Sequence, residues 1–271
     1  MLLTLLEQQR ERARLAIGEE LKSLLYHPSP EVLYALLDNP ALDETLLSLL
    51  LARKDLSGEI LESIAGRKNF LKSYVVKKAL VFHPKAPRLV GLRLLRDLYL
   101  MDLAQLALSP GVLPELKRHA EEYIIARLPQ LPLGQRITLA RRGPARVAGA
   151  LLASGHAQVL GIALDNPRLT EAQVLKVLWH EKLPQSVVLT VANHRKWSQS
   201  YNVRLALVRN AGTPLSLVLG FLPHLTIADL RELAAPGVVP DNLRKYLEAE
   251  VRRRMRSSKA KADAESRSDT K

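Results

Sequence analysis

Two clusters of basic and aromatic residues are the part of this sequence best suited to contacting a ligand. The first is Arg67-Lys68-Asn69-Phe70 and the second is His194-Arg195-Lys196-Trp197. Lys or Arg beside an aromatic ring suits phosphate contact combined with base stacking or a cation–π contact. The alternative is a solvated turn whose ring fills the gap between two helices. The candidate binding residues from these clusters are Arg67, Lys68, Phe70, Arg195, Lys196 and Trp197.

Further cations lie between the two clusters and at the end of the chain. Arg141, Arg142 and Arg146 follow the Pro-containing break at 129–134 and are spaced to share one surface of a helix and turn. They complete the candidate binding surface. Residues 252–271 hold eight Lys or Arg and three acids, a net charge of +5. Arginines at 252–254 also complement the dipole of a final helix, so they need no functional role.

Catalytic signatures are missing from the sequence. It contains no Gly-rich phosphate loop, no Gly-x-Ser-x-Gly elbow and no His-Glu-x-x-His. There is no cysteine, and the seven histidines are spread one per segment. We expect no catalytic residue, no bound cofactor and no metal site, and therefore no enzyme. The enzymatic alternative is a protein that resembles the helical-repeat DNA glycosylases, which rely on aromatic side chains and a catalytic carboxylate. In this sequence only Glu181 lies near Trp179 and Trp197.

The two basic and aromatic clusters lie at equivalent places in an internal sequence duplication. Residues 37–44 (Leu-Asp-Asn-Pro-Ala-Leu-Asp-Glu) return as 164–171 (Leu-Asp-Asn-Pro-Arg-Leu-Thr-Glu), an offset of 127. Laid over 161–234, residues 34–107 give 23 identities in 74 pairs, of which 13 are not leucine. A shared Leu-rich composition explains that poorly, so we infer duplicated ancestry. Tyr74 and Tyr201 recur at the same offset, and we expect each to pack between helices with its hydroxyl group satisfied.

Helix ends recur at short Asn-Pro, His-Pro and Asn-Ala turns between Leu-rich segments. We expect the Asn to adopt the left-handed conformation that ends a helix, and the Pro to prevent its continuation. Turns of about four residues make neighbouring helices nearly antiparallel. Residues 147–164 carry no charge over 18 positions, the lower limit of membrane-spanning length. With Ser154-Gly155-His156 at the middle, they instead predict two buried helices around a turn.

The pattern Leu-Val/Asp-x-Asn/His-Pro-x-x-Thr/Pro, followed by a Leu-rich helix, resembles the helical repeats of the HEAT-like class, and especially the leucine-rich repeat variant. The resemblance covers most of residues 20–250. It implies an all-α, right-handed α-solenoid of stacked helical hairpins. Known variant-repeat proteins can carry an amino-terminal iron–sulfur cluster bound by cysteines, and a chain without cysteine cannot hold one.

The sequence predicts a single α-solenoid over 1–256 with about ten to thirteen helices. Its duplicated units are expected at about 34–131 and 161–251, joined by a helical segment at 132–160. Residues 257–271 lack apolar periodicity and predict a disordered basic tail.

The net charge of +13 favours anionic partners but does not choose among them. An extended helical-repeat surface typically binds macromolecules, so the first expectation is a non-enzymatic scaffold for protein–protein interaction, with a partner that could be acidic. The alternative is a nucleic-acid-binding α-solenoid that uses the basic loops and the 141–146 arginines. We expect a cytoplasmic chain without a membrane span, and the oligomeric state stays open.

Overall fold

Helices are the regular secondary structure of this chain. The structure, a computed structural model, describes residues 2–180 and 183–268, with side chains for 5–180 and 183–258. Over these residues it contains 18 α-helices, five short 3-10 helices and no β-strand. The predicted all-α class is therefore confirmed. No helix of the described ranges combines the length and the apolar character needed to cross a membrane.

The chain divides into two compact units at residues 129 and 130. Unit 1 contains nine α-helices: α1 Leu2–Leu15, α2 Gly18–Leu24, α3 Pro30–Leu36, α4 Glu44–Ala52, α5 Gly58–Gly66, α6 Tyr74–Phe82, α7 Arg88–Leu94, α8 Leu100–Leu108 and α9 Pro114–Arg127. Short 3-10 helices lie at Phe70–Lys72 and Leu95–Asp97, and a third, Leu128–Gln130, ends the unit.

Unit 2 repeats the same number of α-helices: α10 Leu133–Arg142, α11 Ala145–Ala153, α12 Ala157–Leu164, α13 Glu171–Leu178, α14 Gln185–Ala192, α15 Tyr201–Arg209, α16 Leu215–Phe221, α17 Ile227–Leu233 and α18 Asp241–Ser268. Its 3-10 helices are Trp197–Gln199 and Leu222–His224. Most helices in both units are seven to ten residues long. The expected ten to thirteen helices is therefore too few, because closely spaced turns divide the chain more finely than typical helix lengths imply.

The two units match helix by helix. In unit 1, α1 packs on α3, α4 on α6 and α8 on α9; in unit 2, α10 packs on α12, α13 on α15 and α17 on α18. The duplication therefore spans the whole chain. The predicted connecting segment at 132–160 is helical, as expected, and forms α10, α11 and the start of α12, the counterparts of α1 to α3. The duplicated units begin about 30 residues before their predicted starts.

Each unit has a core of Leu, Val and Ala contributed by alternate helix faces. Fully buried side chains include Leu36, Leu50 and Leu80 in unit 1 and Leu151, Val174 and Leu207 in unit 2. Burying one such side chain stabilises the fold by about 1.5–3 kcal/mol. The uncharged stretch at 147–164 contributes to this core as α11 and α12, with a turn at Gly155 whose φ is 71°. The predicted pair of buried helices is thus confirmed.

The end of the chain differs from the prediction. Helix α18 continues to Ser268, whereas the sequence predicts disorder from residue 257. The segment 257–268 is composed of Ala, Lys, Arg, Glu, Asp and Ser, without Gly or Pro. Ala, Lys, Arg and Glu favour a helix even where no apolar stripe requires one. The last part of the predicted tail, residues 269–271, lies outside the described residues.

Candidate functional site

The side chain of Asn39 links the α3–α4 turn to the end of α1. Its Nδ2 donates to the carbonyl oxygens of Ala13, at 2.8 Å, and Ala16, at 2.9 Å. Its Oδ1 accepts from the backbone N–H of Ala41 at 2.8 Å. The side chain is buried, so all of these bonds are made away from water.

Asn166 makes the same three contacts in unit 2. Its Nδ2 donates to Ala140 O at 2.7 Å and Gly143 O at 3.2 Å, and its Oδ1 accepts from Arg168 N at 2.8 Å. Every partner is offset by 127 residues from its counterpart in unit 1. The predicted left-handed Asn is wrong, since no non-Gly residue of the described ranges has a positive φ. Asn is needed here as a buried side chain that both donates and accepts.

These contacts place three turns of unit 2 in a row. Asn166, in the α12–α13 turn, bonds to the end of α10, as described above. His194, in the α14–α15 loop, has its Nε2 3.1 Å from Asp165 Oδ1. Trp197, in the same loop, donates from Nε1 to Leu164 O at 2.9 Å. The α10–α11, α12–α13 and α14–α15 connections therefore follow one another along a single edge of the unit.

Five cations lie on this edge, which we call the cationic edge: Arg141, Arg142, Arg168, Arg195 and Lys196. All five are exposed. Arg168 Nη1 lies 3.3 Å from Arg142 O, which confirms that these two turns adjoin. None of the five forms an ion pair with a carboxylate in the part of the chain that the structure describes. Arg168 donates one N–H to Arg142 O and Lys196 lies over the Trp197 ring, but neither contact neutralises the positive charge that an anion would meet.

The acids near the cationic edge are already engaged. Asp165 faces the His194 ring, and Glu171 Oε1 accepts from Ser200 Oγ at 2.7 Å. Arg146, which the sequence groups with Arg141 and Arg142, is half-buried and already has an interaction partner. We therefore leave it out of the cationic edge, whose net charge stays positive.

Trp197 does not offer the stacking surface expected of it. Its side chain is 3% exposed and its indole N–H is used by Leu164 O. Lys196 Nζ lies 4.1 Å from the ring centroid, so a cation–π contact forms within the chain itself. The alternative reading, a ring that fills the gap between helices, is correct for this tryptophan.

The first cluster is arranged differently. Arg67 Nη1 donates to Leu37 O, and Nη2 pairs with Asp38 Oδ1 at 2.7 Å. The guanidinium carbon lies 5.9 Å from the Phe70 ring centroid. Arg67 therefore holds its own loop in place, while Lys68 is exposed and Phe70 is half-buried.

A groove of about 800 Å³ opens beside Phe70, between the α3–α4 turn and the α5–α6 loop. We call it the unit 1 groove. Asp43 and Glu44 line it from the start of α4, and Lys68 and Lys72 line it from the α5–α6 loop. It therefore combines an acidic wall, a basic wall and an aromatic ring.

The two repeated tyrosines pack between helices only in part, since Tyr74 is half-buried and Tyr201 is 37% exposed. Tyr74 Oη donates to Asp102 and accepts from Tyr99 N at 3.1 Å. Partial burial and the Asp102 carboxylate raise the pKa of Tyr74 to about 12. Tyr201 Oη donates to Asp229 and accepts from the Thr226 N–H in the same way. The expected satisfied hydroxyl groups are confirmed.

The sequence prediction leaves out Arg168, and it includes Lys72 only among the cations that follow Phe70, outside the candidate binding surface. Arg168 occupies the duplicated motif where the first copy has Ala41, and Lys72 follows Phe70 where the second copy has Gln199. A position-by-position comparison of the copies would have identified both, because charge differences within a shared frame are visible in the sequence.

The chain gives no match when compared with protein-family models, with curated proteins or with solved structures. Within the described ranges, no three His, Asp or Glu side chains cluster so as to hold a metal ion. The function must therefore be inferred from the cationic edge and the unit 1 groove.

Proposed function

We propose that this chain is a non-enzymatic helical-repeat scaffold whose unit 2 binds the phosphate backbone of nucleic acid along the cationic edge. The proposal keeps the HEAT-like, leucine-rich-repeat-variant resemblance, with each unit a right-handed α-solenoid, and the expected cytoplasmic location. We place nucleic acid ahead of a protein partner, which is the first expectation from the sequence. The reason is a charge difference between the two units.

Three of the five edge cations have neutral counterparts in unit 1. Arg142, Arg168 and Lys196 correspond to Leu15, Ala41 and Asn69, at the common offset of 127 residues. The same Asn hydrogen bonds hold both turns, so the fold does not require these charges. This difference is the observation that carries the proposal, because a charge that folding does not require is free to serve a ligand.

The edge has a spacing that suits a chain of phosphates. Packed helices lie about 8–10 Å apart, so three successive turns extend over roughly 20 Å. Arginine presents a planar fork of donors that matches phosphate oxygens, and four of the five edge cations are arginines. A repeating polyanion contacts such a row more favourably than a single anion does.

The test replaces the three edge residues by their unit 1 counterparts in the full chain: Arg142→Leu, Arg168→Ala and Lys196→Asn. Binding to a fluorescently labelled single-stranded RNA of about 20 nucleotides is measured by anisotropy at roughly 50 and 200 mM KCl. We expect the triple variant to lose about tenfold to a hundredfold in affinity and to reduce the salt slope by about 2, since each neutralised phosphate contributes about 0.7.

A charge-matched control removes three exposed cations elsewhere, Arg10→Ala, Lys54→Ala and Lys245→Ala. It should change the affinity less than about threefold, because screening limits contributions from distant charges. An equal loss in both triple variants would mean that only net charge matters, and the proposed edge would be rejected. A labelled DNA duplex of the same length shows whether the edge prefers one strand or two.

A protein partner is the second candidate, and Trp179 is the observation that favours it. Its side chain is 67% exposed at the end of α13, beside a groove of about 490 Å³ lined in part by Leu183 and Ala211. Tryptophan dominates many protein interfaces because it buries a large area at low entropic cost. Affinity purification from nuclease-treated extract should recover a partner with the wild type and lose it with Trp179→Ala. Identical recovery with both proteins would remove this candidate.

A further inference from the structure

The unit 1 groove lies at the position where unit 2 buries the indole of Trp197. This comparison indicates what kind of group the groove can hold. In unit 2, the indole of Trp197 packs against the carbonyl end of α12. In unit 1, Phe70 is smaller and half-buried, and Arg67 has taken the equivalent carbonyl of Leu37. A groove of about 800 Å³ remains open there. The position that is occupied by a planar ring in unit 2 is thus accessible to solvent in unit 1.

The basic wall of the unit 1 groove suits a phosphate group. Lys68 and Lys72 are both exposed, and neither forms an ion pair within the described part of the chain. They flank Phe70 on the same short loop. Arg67 is excluded from this role because Asp38 and Leu37 O already occupy its guanidinium group.

The acidic wall requires a ligand with N–H donors. Asp43 Oδ1 accepts from Leu46 N at 2.8 Å, which leaves its second oxygen free of that contact. Glu44 is exposed, and the described residues provide its carboxylate with no hydrogen-bond partner, although the carboxylate of its counterpart Glu171 accepts from Ser200. An ionised carboxylate only accepts hydrogen bonds and repels phosphate, so the ligand must turn donors toward this wall.

We infer that the unit 1 groove binds a phosphorylated guanine nucleoside. Such a ligand is anionic at one end and presents adjacent ring and amino N–H donors at the other, with a flat ring between them. Its phosphate would meet Lys68 and Lys72, its ring would stack on Phe70, and its donors would meet Glu44. Uracil lacks the amino group, and adenine lacks a ring N–H beside its amino group. This site goes beyond the proposed function, since it lies in the other unit and needs only one nucleotide.

Isothermal titration calorimetry of the full chain with 5′-GMP is the direct test, with 5′-AMP, 5′-UMP, guanosine and inorganic phosphate as comparison ligands. We expect 5′-GMP to bind at least about tenfold more tightly than any of them, the discrimination given by one bidentate contact. Absence of heat with 5′-GMP up to about 1 mM, where binding energy falls to roughly 4 kcal/mol, would overturn the inference. Equal binding of 5′-GMP and phosphate would overturn it as well.

Three variants assign the contacts. Lys68→Glu with Lys72→Glu should weaken 5′-GMP to the level of guanosine, and Glu44→Gln should bring 5′-GMP and 5′-AMP to within about twofold of each other. Arg67→His with Phe70→Trp introduces the unit 2 residues and should fill the groove, abolishing binding. Unit 2 folds with that His and Trp, and an unchanged thermal melt confirms that unit 1 does so too. Unaltered 5′-GMP affinity in all three variants would contradict the assigned site.

The source of the nucleotide is decided by a guanosine trinucleotide. Tighter binding than 5′-GMP, lost again in Lys68→Glu with Lys72→Glu, places the guanine in a strand, whereas equal binding places it in the free nucleotide pool. The unit 2 triple variant must leave 5′-GMP affinity unchanged. Failure of the cationic edge and failure of the groove are therefore separate results.

Discussion

The loop after α5 and the loop after α14 satisfy the same backbone group with different side chains. In unit 1 the guanidinium of Arg67 donates to Leu37 O, and in unit 2 the indole of Trp197 donates to Leu164 O. The ring is buried where it is the donor, and Phe70 is half-buried where arginine is the donor. The fold therefore requires a donor at the end of this helix, and the choice of donor decides whether a groove stays open beside it.

The last helices of the two units show a similar exchange. Ile124 in α9 and Leu128 just after it are buried apolar residues. From Pro110, which matches Pro236, the offset between the copies falls to 126, so their counterparts in α18 are Glu250 and Arg254. Arg254 donates to Leu222 O and Leu225 O, both at 2.6 Å, and also to Glu250. Apolar burial in one copy is replaced by charge-assisted hydrogen bonds in the other. The two units should consequently respond differently to solution conditions.

The largest expected effect tests what the units share. Asn39→Ala and Asn166→Ala each leave two buried carbonyls without a donor and should destabilise their own unit by about 2–4 kcal/mol, since one such group costs about 1–3 kcal/mol. Hydrogen exchange measured by mass spectrometry should show lost protection confined to the substituted unit. Asn193→Ala is the control, because Asn193 is exposed and bonds only within its own helix. Equal losses from all three changes would show that the buried bonds are not what holds the turns.

The intermediate effect tests the exchange of donors between the two loops. Trp197→Phe removes the indole N–H from Leu164 O and should destabilise unit 2 by about 1–3 kcal/mol. Phe70→Leu should cost less than about 1.5 kcal/mol, because the half-buried ring makes no hydrogen bond and the exchange is apolar. Urea unfolding followed by circular dichroism, with hydrogen exchange to assign the unit, measures both. A larger loss from Phe70→Leu would show that Phe70, not Arg67, organises the unit 1 loop.

The smallest expected effect is a loss of stability in acid that differs between α18 and α9, the last helices of the two units. Arg253 and Arg254 hold the pKa of Glu250 at about 2, against partial burial, whereas its ordinary value is 4.5. Because the pKa is lower in the folded chain, the stabilisation is complete above about pH 4.5 and is lost as the pH falls toward 2. As the pH is lowered, hydrogen exchange should therefore show that the amides of α18 lose protection before those of α9.

Glu250→Gln supplies the control for this acid response. It should cost about 1–2 kcal/mol at neutral pH, as expected for losing a charged hydrogen-bond partner, and should remove most of the acid sensitivity of α18. Acid opening of α18 that persists unchanged in Glu250→Gln would assign the effect to other carboxylates.

Much of the fold could be read from the sequence because its signals are local. Helical class follows from Leu-rich segments bounded by Pro-containing turns, and the duplication follows from a motif repeated at a fixed offset. The first 29 pairs of the duplication, 5–33 against 132–160, also contain eight identities, at Leu6, Gln8, Ala13, Arg14, Leu24, Leu25, Val32 and Leu33. That density is close to the density used to define the repeat. The extension was missed because those residues lack the Asn-Pro motif, not because the signal is absent.

The candidate sites were less predictable. Lys68, Arg141, Arg142, Arg195 and Lys196 are exposed as a binding surface needs, but Arg67, Arg146 and Trp197 are engaged within the chain. Residue type does not separate these two groups. For Arg67 and Trp197, the difference is a carbonyl or carboxylate from a turn about 30 residues earlier that lies within reach.

The helical class, the duplication and the positions of most turns can be read from the sequence, because helix periodicity and turn chemistry act over a few neighbouring residues. The packing of the helical hairpins sets which cations share the cationic edge, buries Trp197 and leaves a groove open beside Phe70. Those properties depend on contacts between residues more than 20 positions apart, such as Asn166 with Ala140 or Trp197 with Leu164. Such contacts arise only when the helical hairpins pack against one another.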